Sequence, residues 1–177
     1  MAQTVTVFGT SKADEGDAVF ELALSLGRQL AEAGFVLANG GYGGTMLAGA
    51  KGAHEAGGKV IGVTCRAFKR GKANAYVTEE RPTEVLSERL SALIAMGDAY
   101  VALPGGTGTL LELAEVWEHK NKGFANAEKP IVLVGEFWKP LVDMMGSQDA
   151  RARACVEWVN DADEAVKILK EFFDETA

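Results

Sequence analysis

Tyr100-Val101-Ala102-Leu103-Pro104-Gly105-Gly106-Thr107-Gly108-Thr109-Leu110-Leu111-Glu112 reads as a strand that runs through a glycine loop straight into a helix. Gly105, Gly106 and Gly108 permit positive φ and put no side chain between a ligand and the peptide N–H groups. The following helix aims its unpaired N–H groups and positive dipole end at the same spot. A phosphate suits such a loop, and the Thr107 and Thr109 hydroxyls can add to its donors. Thr109-x-x-Glu112 also has a plainer reading, a capping box worth about 1 kcal/mol of helix stability. Other phosphate loops fit less well. Leu111 stands where a dinucleotide fingerprint needs its third glycine, and no Gly-Lys pair is followed by Ser or Thr.

Working outward, short apolar runs recur at 5–8, 35–38, 60–64, 100–103, 131–134 and 155–159. Helical patterns follow them at 17–33, 44–56, 83–96, 107–120, 137–145 and 161–173. Most of the runs are apolar throughout rather than alternating, as strands are when helices cover both faces of a parallel sheet. Gly34 and Gly57 fall at C-terminal cap positions, and Thr83 and Asp161 at N-caps. The expected fold is α/β, a single doubly wound, mainly parallel sheet of Rossmann-like form spanning residues 1–177. In such sheets ligands bind beyond the carboxyl ends of the strands. Two further loops sit at such ends: Gly9-Thr10-Ser11, and Asn39-Gly40-Gly41-Tyr42-Gly43-Gly44-Thr45. With the loop at Pro104 they could line one crevice, with Gly9, Thr10, Ser11, Gly40, Gly41, Gly43 and Gly44 touching substrate. Close helix-to-strand packing is the other reason for glycine at 40–44.

With 177 residues, 47% of them hydrophobic, the chain is long enough for one full-sized core. Its net charge of −7 disfavours nonspecific binding to nucleic acid or a membrane surface, both polyanionic. No stretch approaches the ~20 apolar residues of a membrane span, and the N-terminus lacks a signal-peptide pattern, so a cytoplasmic location is expected. Cys65, Cys155, His54 and His119 are too few and too scattered for a disulfide framework or a zinc site, and no metal or cofactor is expected. Arg66, Lys69, Arg70 and Lys72 form a basic cluster, either a lure for an anionic ligand or a solvated loop.

Arg89 is out of place on its helix. At about 100° per residue from Val85 it lands at about 40°, inside the stripe made by Leu86, Leu90, Leu93 and Met96. Burying a guanidinium is costly unless an anion meets it. It is therefore either half of a structural ion pair, a snorkelling side chain, or a group pointing into the crevice. Glu112 lies near enough to the glycine loop to face the sugar of a bound phosphate ester, and far enough from the phosphate to limit repulsion.

Pro104-Gly105-Gly106-Thr107-Gly108-Thr109-x-x-Glu112 resembles the Pro-Gly-Gly-x-Gly-Thr-x-x-Glu signature of the lonely-guy (LOG) family, nucleoside 5'-monophosphate phosphoribohydrolases that activate cytokinins. Ser87-Glu88-Arg89 is similar to that family's His-Glu-Arg-Lys helix, and Glu55-Ala56-Gly57-Gly58-Lys59-Val60-Ile61-Gly62-Val63 is similar as well. The resemblance implies a catalytic pair at Arg89 and Glu112, a 5'-phosphate held by Gly105, Gly106, Thr107, Gly108 and Thr109, and a homodimer. Asn39, Thr45, Leu47, Leu90 and Asn121 depart from the pattern, and Phe8-Gly9-Thr10-Ser11 is a shortened first loop. The implied reaction is hydrolysis of the N-glycosidic bond of a purine nucleotide such as AMP or a cytokinin riboside monophosphate. The alternative is a non-catalytic nucleotide or molybdenum-cofactor carrier. A lysine decarboxylase label also attaches to such sequences, but nothing here resembles a pyridoxal-phosphate lysine motif.

Overall fold

The computed structural model describes residues 2–69, 71–124 and 127–176. Seven strands form one sheet: β1 (Thr4–Phe8), β2 (Val36–Asn39), β3 (Val60–Cys65), β4 (Glu79–Thr83), β5 (Ala99–Ala102), β6 (Ile131–Val134) and β7 (Glu157–Val159). They lie in the order β4-β3-β2-β1-β5-β6-β7, and every pairing is parallel. The chain winds outward from β1 to β4, returns to place β5 beside β1, and winds outward again. The order therefore reverses between β1 and β5, where the loops leaving the two strands diverge and open a crevice.

Helices α1 (Ala18–Glu32), α2 (Thr45–Glu55) and α7 (Ala162–Glu175) carry one apolar layer, and α3 (Leu86–Met96), α4 (Thr107–Lys122), α5 (Lys139–Gln148) and the short α6 (Ala150–Arg153) the other. Side chains alternate across a strand, so an all-apolar run feeds both layers. Val101 and Leu103 join the core with Leu26, Leu37 and Leu169, while Tyr100 and Ala102 join the one with Leu93, Leu113 and Leu133. Gly27 of α1 lies against the backbone of Gly49 in α2, an approach that a β-carbon would block.

Strand β4 has no counterpart among the expected strands. Its sequence, Glu-Glu-Arg-Pro-Thr, is polar because it lies at the sheet edge, where Pro82 costs no ladder bond that the sheet needs. The helix expected from Thr83 begins instead at Leu86, and Thr83 is not its N-cap. Thr83 ends β4, its hydroxyl donating to the Thr64 carbonyl at 2.8 Å. Glu88 reaches back to accept from the Glu84 N–H at 2.9 Å. Asp161 does cap α7, accepting from the Glu164 N–H at 3.0 Å. Gly34 and Gly57 take φ of 85° and 77° just past α1 and α2. Cys65 and Cys155 are both buried and both free.

Candidate active site

The crevice at the switch point is a cleft of about 530 Å³, within the range of small-molecule sites. The loops after β1, β2 and β5 meet there. The Thr10 N–H donates to the Pro104 carbonyl at 3.2 Å, and the Thr10 carbonyl accepts from the Thr45 N–H and hydroxyl at 2.9 and 3.0 Å. Thr10 is thus the pin that holds three chain segments together.

The β5 loop builds one bank. Gly106 is the N-cap of α4, which starts at Thr107, and the first intrahelical bond runs from the Leu110 N–H to the Gly106 carbonyl at 2.9 Å. The N–H groups of Thr107, Gly108 and Thr109 precede it and have no carbonyl one turn back. A β-carbon added to Gly106 or Gly108 would meet nothing within 4 Å, so both backbones are open to the cleft. None of Gly105, Gly106 and Gly108 has positive φ, contrary to expectation. The loop uses glycine for access, and at Gly105 for contact, since the Thr109 side chain lies where a β-carbon would go. The capping-box reading also falls away, because Thr109 lies inside the helix and Glu112 is bonded elsewhere.

Glu112 follows Gly108 by four residues, one helical turn, so the two share a face of α4 and Gly108 puts no side chain between the carboxylate and the start of the helix. Its partner is Arg89 of α3. Arg89 Nη1 meets Glu112 Oε1 at 3.1 Å, Nε donates to the Val63 carbonyl at 2.9 Å, and Nη2 fills the space that a β-carbon on Gly40 would take. The two side chains are only 8% and 12% exposed. Burial pushes the Glu112 carboxyl above the ordinary glutamate range, and the charge and hydrogen bond of Arg89 pull it back only in part.

Gly9, Thr10, Ser11 and Gly40 line the cleft together with Gly106, Thr107, Gly108, Thr109, Arg89 and Glu112. Gly41, Gly43, Gly44 and Gly105 stand behind that lining. Gly44, at φ 64°, packs against the backbone of Thr10 and Ser11, and the Gly41 N–H donates to Asn39 Oδ1 at 2.8 Å. Asn39 in turn donates to the Met46 carbonyl at 3.0 Å, so this departure from the LOG pattern braces the second loop from within. Among the described residues, no member of the basic cluster lines the cleft. Arg66 pairs with Glu84 at 2.8 Å, Lys69 and Lys72 are exposed, and Arg70 lies outside the described residues. The cleft gains instead Lys12, Met46 and Phe68, which no motif had flagged, together with Tyr42 of the second glycine loop and Leu86 of the stripe beside Arg89. Among the described residues no group of three or more His, Cys, Asp or Glu is placed to hold a metal ion, and no helix is long and apolar enough to cross a membrane.

A glycine-lined crevice at the switch point of a doubly wound parallel sheet, with a helix N-terminus opening on it, defines the class of Rossmann-like α/β proteins. Residues 46–170 match the family described as "Possible lysine decarboxylase". The chain is 34% identical over 145 residues to the cytokinin riboside 5'-monophosphate phosphoribohydrolase of Rhodococcoides fascians, a match that covers 79% of this chain and 72% of that one. It is 33% identical over 133 residues to the enzyme of the same name from Mycobacterium tuberculosis, covering 74% and 70%. The chain belongs to the LOG family. In structure it is similar to the molybdenum cofactor carrier protein of Chlamydomonas reinhardtii, with a TM-score of 0.80, 27% identity and coverage of 98% of this chain and 99% of that one.

Proposed function

We propose that the protein hydrolyses the N-glycosidic bond of a purine nucleoside 5'-monophosphate, such as AMP or a cytokinin riboside monophosphate, to the free base and ribose 5-phosphate. The observation that carries this reading is the position of Glu112, a largely buried carboxylate on the cleft wall one turn from the open N–H groups of α4. A phosphate on Thr107, Gly108 and Thr109 sets the attached ribose against Glu112. Breaking the bond from C1' to the base nitrogen leaves positive charge on C1' and the ring oxygen, which a carboxylate stabilises. A water attacks C1', Glu112 takes its proton, and the departing base takes up a proton from solvent. A carboxyl held above its ordinary range is better matched to that proton transfer near neutral pH. Arg89 holds Glu112 in place and offers its remaining donors to the ribose or its phosphate.

Binding energy from the phosphate positions the sugar, so the nucleoside lacking it should react far more slowly. The experiment is to incubate the purified protein with AMP, other nucleoside monophosphates and adenosine, and to measure free base and ribose 5-phosphate. AMP turnover that vanishes in Glu112→Gln supports the reading; equal turnover of AMP and adenosine contradicts it. The near end-to-end match to a molybdenum cofactor carrier supports a second reading, a carrier that grips a phosphorylated heterocycle without cleaving it. Nucleotide that binds and stays intact would establish that one.

A further inference from the structure

The cleft carries a charge that the catalytic pair does not use. Three charged side chains line it, Lys12, Arg89 and Glu112. Arg89 and Glu112 answer each other at 3.1 Å, so the lining keeps a net charge of 2 − 1 = +1, carried by Lys12, in a chain of net charge −7. No ion pair among the described residues engages Lys12. Of the acids that follow it, Asp14 is exposed, Glu15 pairs with Lys51 at 3.4 Å, and Asp17 accepts from the Asp14 N–H at 2.9 Å.

The backbone fixes where the Lys12 side chain starts. Strands β1 and β5 pair as far as Phe8 and Ala102, and beyond them the Thr10 N–H still reaches the Pro104 carbonyl at 3.2 Å. Carried two residues further, this offset sets Lys12 level with Gly106, the N-cap of α4, on the facing bank of the crevice. Thr10 Oγ1 accepts from the Lys12 N–H at 3.2 Å, and the next residue, Ala13, is buried in the core. The loop is therefore held on both sides of an exposed side chain, whose four-carbon stem ends in a compact ammonium with three donors.

Charge magnitudes say what this ammonium can add. A helix N-terminus offers about half an elementary charge, whereas a phosphate monoester carries roughly −1.5 to −2 near neutral pH. The open N–H groups of α4 can satisfy phosphate oxygens but balance only a fraction of that charge, and Glu112 one turn along repels it. Arg89 is already held by Glu112 and the Val63 carbonyl. A full positive charge on the facing bank makes up the difference.

Resting on the phosphoribohydrolase reading, we propose that Lys12 is the charge partner of the 5'-phosphate, closing over it from the β1 loop, and that the cleft thereby selects dianionic phosphate monoesters over monoanionic esters of the same shape.

The test titrates wild-type protein, Lys12→Met and Lys12→Arg with ribose 5-phosphate and with ribose 5-sulfate, a tetrahedral ester of one charge, from about 0.05 to 0.5 M sodium chloride. Lys12→Met keeps the length of the stem and loses the charge. At low salt it should weaken ribose 5-phosphate about tenfold, with the gap from wild type narrowing as salt rises, and the preference for phosphate over sulfate should shrink with it. Lys12→Arg should keep the phosphate affinity within about threefold. Because the position is exposed, the three proteins should melt alike. Unchanged phosphate affinity in Lys12→Met, an equal loss in Lys12→Arg, or a loss that salt leaves untouched would overturn the charge-partner role while leaving the phosphate site standing. Equal affinity of the wild type for the two esters would overturn the selection. A wild-type protein that binds no ribose 5-phosphate would overturn the site reading and this inference with it.

Discussion

Arg89 and Glu112 stand 23 residues apart in sequence, on successive helices of one sheet face, and meet in a charged hydrogen bond of 3.1 Å on the wall of the cleft. Each answers the cost of burying the other. Gly40 makes the arrangement possible by leaving room for the guanidinium.

Loss of either partner is therefore expected to have unequal effects. Glu112→Gln keeps an acceptor for the buried Arg89 guanidinium but removes its counter-charge, so it should cost some stability and lower kcat by roughly 10²- to 10⁴-fold, the usual share of a positioned acid or base. Arg89→Ala leaves a buried carboxylate uncompensated and should cost stability by about 3 kcal/mol or more in denaturant unfolding, besides lowering activity. A double-mutant cycle should show clear coupling.

Because burial raises the Glu112 carboxyl above its ordinary value of 4.5, the acid limb of kcat/KM should lie higher in pH than for an unperturbed glutamate. The same shift affects stability. Between 4.5 and the folded value the native chain holds more protons than the unfolded one, so stability falls as pH rises through that window. Glu112→Gln should remove this fall, as unfolding measured against pH in both proteins would show.

Gly108 is expected to separate stability from function. It sits in the first turn of α4 with open space where a β-carbon would be. Gly108→Ala should fold and gain about 0.4–1 kcal/mol from reduced unfolded-state entropy, yet bind ribose 5-phosphate more weakly. Calorimetric titration beside a melting curve reads both. Gly105→Ala would drive a methyl group into Thr109 and should destabilise instead.

Gly40→Ala should act at a distance from the chemistry. Its methyl group would displace the Arg89 guanidinium, so activity should fall toward that of Arg89→Ala although the changed residue carries no polar side chain. Full activity in this variant would show that the pair tolerates movement.

The parallel α/β order, the glycine loop entering α4 and the anomalous Arg89 were legible in the linear sequence, because each is a local signal: an apolar run, a glycine cluster, one charge on an apolar stripe. Strand β4 was not, since Glu-Glu-Arg-Pro-Thr looks like a loop until β3 offers it an edge to pair with. Phe68 was hidden for a related reason. A lone phenylalanine among basic residues has no periodic signature, and it faces the cleft only because a clamped 3-10 turn carries it there. The sequence by itself thus determined which residues have the chemistry to hold an anion and balance a charge, since side-chain type and helical spacing are local properties. Only the tertiary structure decided which of them meet: the return of the chain from β4 to β5 brings loops from distant parts of the sequence to one crevice, and close packing then leaves Arg89 a single place, against Glu112.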